Sequence, residues 1–140
     1  MTTATSTDTV GPEQLKLAHA ALWRTSTSFN GDRWLELWQG LDAETREQIK
    51  TKAHSEHITS SAAMRDWWPE LYAPLAVVPL YRAYPHPYVV GQIDSDGLTL
   101  LRTERSWQRH HHAAQLDPSA YLVADGKGDY RPLVELLAAL

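Results

Sequence analysis

Five of the eight prolines in this 140-residue chain fall between Pro69 and Pro87. Proline lacks the backbone N–H that a helix needs and clashes with the preceding turn, so no long helix can cross that stretch. Regular structure must therefore be built separately on its two sides, and the spacing of apolar residues changes across it.

The N-terminal side reads as helical. Pro12 suits a first helical turn, where its missing N–H costs nothing, and Leu15, Ala18 and Leu22 follow on one face. Asn30-Gly31 punctuates the chain and Asp32 can cap; Trp34, Leu37, Trp38 and Leu41 then recur at helical spacing, predicting a short helix with a bulky core-facing stripe that ends near Gly40. Asp42 is placed to cap a third helix, with Glu44 and Glu47 in its positive first turn and Ile49, Ala53 and His57 on roughly one face. Thr59, Ser60 and Ser61 weaken that helix because their hydroxyls compete for backbone groups, and its continuation to Trp68 ends at Pro69.

Beyond Pro69, Tyr81, Tyr84 and Tyr88 are expected in extended, aromatic-lined connections. Tyr88 to Ile93 and Leu98 to Glu104 flank Asp94-Ser95-Asp96-Gly97, which predicts a β-hairpin, since Asp and Gly tolerate the positive φ of a tight reversal. Ala120 to Ala124 reads as a further strand. Asp129 can cap a closing helix, with Pro132 in its first turn and Leu133, Leu136, Leu137 and Leu140 aligned. The expected fold is α+β: N-terminal helices, a small antiparallel sheet (a β-hairpin plus one or two strands) and a C-terminal helix. Residues 1–10 are Thr/Ser-rich and read as a flexible tail, leaving residues 11–140 as one domain.

Composition removes several chemistries. With no cysteine there are no disulfides, thiolate zinc sites, iron–sulfur clusters or thiol nucleophiles. No run approaches the roughly 18 apolar residues of a spanning helix, so no membrane partner is expected and the cytoplasm is the default location. The net charge of -4 argues against nonspecific attraction to nucleic acid. Nine arginines against four lysines, with abundant alanine, are compatible with a GC-rich bacterial genome. Oligomeric state is not legible.

Histidine is the first place to seek chemistry. His54 and His57, at i and i+3, could share a metal with His110 or His112, and strand alternation would turn His111 away from its neighbours. The helical zinc motif has its histidines at i and i+4, so a metal is not favoured and no cofactor is predicted; a divalent ion held by histidine and carboxylate stays the weaker reading. An acid/base enzyme or small-molecule binder is the alternative function, with His57, His110, His112 and Glu104 as catalytic candidates and Asp66 or Asp117 as partners. No P-loop, dinucleotide fingerprint or nucleophile elbow is present.

Tryptophan carries the stronger signal: there are six beside a single phenylalanine. Trp34 and Trp38 read as core. Trp67 and Trp68 are adjacent, so on a helix they point in different directions and cannot both enter one core. With Tyr72, Tyr84 and Tyr88 they could frame an aromatic surface, against the blander reading of a proline-rich loop sealing itself with rings. Arg105, Trp107 and Arg109 fall on one side of an extended strip, against the reading of charged gatekeepers on an edge strand. The expectation is a small, soluble, non-catalytic binding protein of accessory, regulatory, inhibitor or immunity type that recognises a protein partner. A third reading, a winged helix-turn-helix over Arg33 to Ala63, is opposed by Glu44 and Glu47 at the start of its recognition helix.

Overall fold

Leu15, Ala18, His19 and Leu22 form a buried stripe on α1 (Pro12–Leu22), which Pro12 opens. The computed structural model describes residues 9–103 and 106–140, the side chains of residues 103–110 excepted. A 3-10 turn over Trp23–Thr25 leads to α2 (Gly31–Gly40). The cap of α2 is Asn30, not Asp32: the Asn30 side chain accepts from the Arg33 N–H at 3.0 Å, leaving Asp32 in the positive first turn. Asp42 caps α3 (Ala43–Glu56) by accepting from the Thr45 N–H at 2.9 Å.

The weak stretch after α3 becomes a break. His57 closes α3 in the left-handed region at φ 57°, ψ 43°, which histidine enters more readily than most side chains. Thr59 then accepts from the Ala62 N–H at 3.1 Å and starts α4 (Ser60–Trp67). Pro69 opens the one-turn helix α5 (Pro69–Tyr72).

The strands β1 (Val78–Arg82), β2 (Tyr88–Ile93), β3 (Thr99–Thr103), β4 (Ser106–Ala113), β5 (Leu122–Ala124) and β6 (Tyr130–Pro132) form one sheet in the order β4-β3-β2-β1-β5-β6. Every neighbouring pair is antiparallel. The sheet is larger than the hairpin and one or two strands expected, because β1 forms inside the proline-rich stretch and β6 forms where the last helix was expected to start. It tolerates Pro79 because β5 pairs with β1 at Tyr81↔Leu122, beyond that residue, so no ladder donor is required of position 79 on that side. The predicted hairpin is β2–β3, and in its turn Asp94 accepts from the Asp96 and Leu98 N–H groups at 2.9 and 3.1 Å. Gly97 there has φ +78°, and a Cβ would run into the Pro12 carbonyl, so the turn sits directly on the start of α1. Pro132 ends β6 instead of entering the last helix, and α6 (Leu133–Ala139) begins one residue later, where the Leu133 N–H donates to the Tyr121 carbonyl at 2.9 Å. Val10, at the end of the expected tail, pairs with Leu116.

Two cores result. In the first, Leu15, Ala18 and Leu22 of α1 and Leu133 of α6 pack on Val78, Leu80, Ile93, Leu101 and Val123 of the sheet. In the second, α3, α4 and α5 close around Trp23, Ile49, Ala53, Ala63, Met64, Tyr72, Leu75 and Ala76. Leu22 and Trp23 are adjacent in the chain yet belong to different cores. The two meet at His19, which is 4% exposed and whose Nε2 lies 2.7 Å from the Ala76 carbonyl oxygen. Arg33 adds a surface tie, donating to Ser95 Oγ at 3.1 Å and Asp96 Oδ2 at 2.8 Å in the hairpin turn.

Candidate functional site

α3 turns its few apolar residues inward: of fourteen residues only Ile49 and Ala53 are buried. Helical spacing places Glu44, Gln48, Thr51 and Ser55 along an outer face, flanked by Glu47 and Lys52. These six residues and Trp68 line an open groove of about 530 Å³.

The position of Trp68 follows from Pro69. A residue before proline is driven out of the helical region, and Trp68 accordingly takes φ -129°, ψ 58° while its N–H still bonds to the Met64 carbonyl at 2.8 Å. Its indole is half-buried, packing on the second core and walling the groove. Trp67, the last residue of α4, is 43% exposed, and Lys52 Nζ lies 4.5 Å from its ring centroid. The adjacent indoles therefore divide between a core edge and the surface.

The other aromatic candidates do not join them. Tyr72 is corrected from surface to core: it is 1% exposed, with ring centroids 6.0 Å from Trp23 and 6.2 Å from Phe29, and burial pushes its phenol above the usual range. Tyr84 is 86% exposed in the connection after β1, and Tyr88, half-buried, opens β2 opposite Arg82; both lie at the Arg82 end of β1, whereas α5 adjoins its Val78 end. One expected aromatic surface is thus two. The register Thr103↔Ser106 puts the start of β4 at the same sheet end as Tyr88. Trp107, Arg109 and His110 belong to β4 by backbone, their side chains lying outside the described residues, as do Glu104 and Arg105 altogether.

The histidine candidates are dispersed. His54 and His57 are exposed on α3 and its cap; His112 registers opposite Leu100 and His111 opposite Leu101, on alternate faces of the sheet. Among the described residues no three His, Asp or Glu side chains gather as a metal site. Asp66 pairs with Arg65 at 3.0 Å, and Asp117 accepts from the Ser119 hydroxyl and N–H at 2.7 and 3.0 Å, bonds that hold its carboxyl below the ordinary range.

Trp34 and Trp38 pack against the second core, as their helical spacing implies: both are half-buried on α2 and stack with centroids 5.4 Å apart and an interplanar angle of 17°, although no residue of α2 is fully buried. The rest of the groove carried one sequence signal, namely that two central apolar residues cannot cover both flanks of a fourteen-residue helix. Comparison with family models, with curated proteins and with solved structures found no match.

Proposed function

We propose that this chain is a non-catalytic binding module that receives a protein partner in the groove between α3 and Trp68. The observation that carries this reading is Trp68 walling a groove on a helix that buries only two of its residues, with the exposed Trp67 beside it against the groove residue Lys52. Such a helix gains little from its own core, and covering its outer face would remove apolar surface from water at Trp67 and Trp68. Tryptophan is the side chain most enriched among residues that each contribute 2 kcal/mol or more to an interface, by the usual order of magnitude. A small acidic chain of this kind suits an accessory or regulatory role in a bacterial cytoplasm.

The test is affinity capture from source cells with three baits: wild type, Trp67→Ala and Tyr84→Ala. Tyr84 is almost fully exposed, so Tyr84→Ala should leave the thermal midpoint nearly unchanged, and circular dichroism checks that Trp67→Ala, at a position 43% exposed, is folded. A protein held by wild type and Tyr84→Ala and lost by Trp67→Ala is the expected result. Identical capture by all three baits would refute the groove as the interface.

A further inference from the structure

We propose that the segment received by this groove is basic: a short stretch of a partner protein carrying lysine or arginine beside an apolar anchor. The proposal rests on the groove being an interface and adds the chemistry of what enters it. Glu44 and Glu47 stand close together at one end of the groove, and neither has an ion-pair partner among the described residues. The cations that could have neutralised them are engaged or turned away. Lys52 sits over the Trp67 ring, Arg33 is paired with Asp94 and Asp96, and Arg65 is paired with Asp66. Arg46 lies on the other side of α3 by helical spacing, and Lys50, although three residues after Glu47, forms no ion pair with it among the described residues; neither lines the groove.

Two unpaired carboxylates beside an indole wall are complementary to a cationic side chain with an apolar neighbour. A guanidinium can stack on the Trp68 face while its fork reaches a carboxylate, and an ammonium can take the position over an indole that Lys52 already illustrates. The reach from Glu44 to Ser55 is about 16 Å along the helix axis, enough for roughly five residues of extended chain. The walls then divide the work: Trp68 supplies area, and the Glu44 end supplies sign and orientation.

A random dodecapeptide display library panned on the 140-residue chain tests this. Enriched peptides are titrated by fluorescence anisotropy against wild type, Thr51→Tyr and the Glu44→Gln/Glu47→Gln double variant. Thr51 is exposed, so Thr51→Tyr fills the groove without disturbing the core, and circular dichroism checks that each variant is folded. The expected peptides are rich in lysine or arginine, lose binding with Thr51→Tyr, and weaken at least about tenfold in the double variant and, against wild type, between roughly 50 and 300 mM salt, as charge-steered contacts do. Peptides that need the groove but are neutral or acidic, or that ignore the two glutamates, would overturn the basic partner while leaving the interface standing. Peptides indifferent to Thr51→Tyr would overturn both. Self-association of the chain that Thr51→Tyr abolishes would mean that a second copy is the occupant, and would likewise overturn the proposal.

Discussion

Replacing His19 by leucine tests whether the two cores are coupled through one buried hydrogen bond. A carbonyl can only accept, so Nε2 donates to the Ala76 oxygen across 2.7 Å, at a site 4% exposed. Leucine keeps most of the volume and adds apolar surface, but leaves that oxygen without its donor. A net hydrogen bond contributes about 1 kcal/mol, and an orphaned buried acceptor costs about 1–3 kcal/mol. Allowing for the greater hydrophobicity of leucine, the loss should be about 2 kcal/mol, a large share of the roughly 5–15 kcal/mol that holds a domain together. With a urea dependence of about 1–3 kcal/mol per molar, the midpoint should fall by roughly 1 M. Five of the six tryptophans lie between Trp23 and Trp68, so indole fluorescence follows the helical half, while far-ultraviolet circular dichroism follows both halves. Both midpoints should fall, the fluorescence transition leading. A shift below about 0.3 M with coincident transitions would refute the coupling.

Gly97→Ala combines a left-handed backbone with a collision at the Pro12 carbonyl and should cost about 2–4 kcal/mol in urea unfolding. Gly128→Ala, at φ +95° with open space around it, should cost only about 1 kcal/mol; equal losses would remove the role assigned to the turn's seat on α1. Asp42, Asp117 and Asp125 have their carboxyls held below the ordinary range, the first two chiefly by side-chain hydrogen bonds to Thr45 and Ser119 and the third by the Lys127 N–H. A depressed folded value stabilises the native state above the ordinary aspartate range and is lost as pH falls through the lowered values, so the triple Asp→Asn variant should be less stable than wild type at neutral pH and should converge with it in strong acid. Thermal midpoints measured from neutral to strongly acidic pH check this, and a constant gap across that range would exclude it.

The residues that could be read in advance are those whose geometry is local. Asp42 caps its helix because a carboxylate two or three residues before free N–H groups has one good place to go, and Asp94 to Gly97 turn the chain for an equally local reason. The split between Trp67 and Trp68 was visible because neighbouring helical residues cannot share a face. β1 was hidden because its partners are distant, Pro79 arguing against a strand until the position of β5 is known; β4 is the edge strand that the charged strip suggested, although its histidines carry no apolar alternation to mark its length. Periodicity identified the face of α2 that points inward, where Trp34 and Trp38 pack against the second core, but not that they stay half-covered there. Tyr72 lies on a single helical turn, too short to have a period at all. The groove needed the left-handed break at His57, which brings the end of α4 back along α3.

The division into two cores also sets an order of events during synthesis. The stripe on α1 is made before the strands that cover it, whose side chains begin at Val78, and before Leu133, which is 111 residues beyond Leu22. At about 5–20 residues per second, the ribosome leaves that stripe waiting for roughly 5–20 s, while the helical half between them is already complete at Ala76. Helix α1 thus precedes all of its sheet partners, and the nascent chain carries Leu15, Ala18 and Leu22 uncovered while the whole helical half is made.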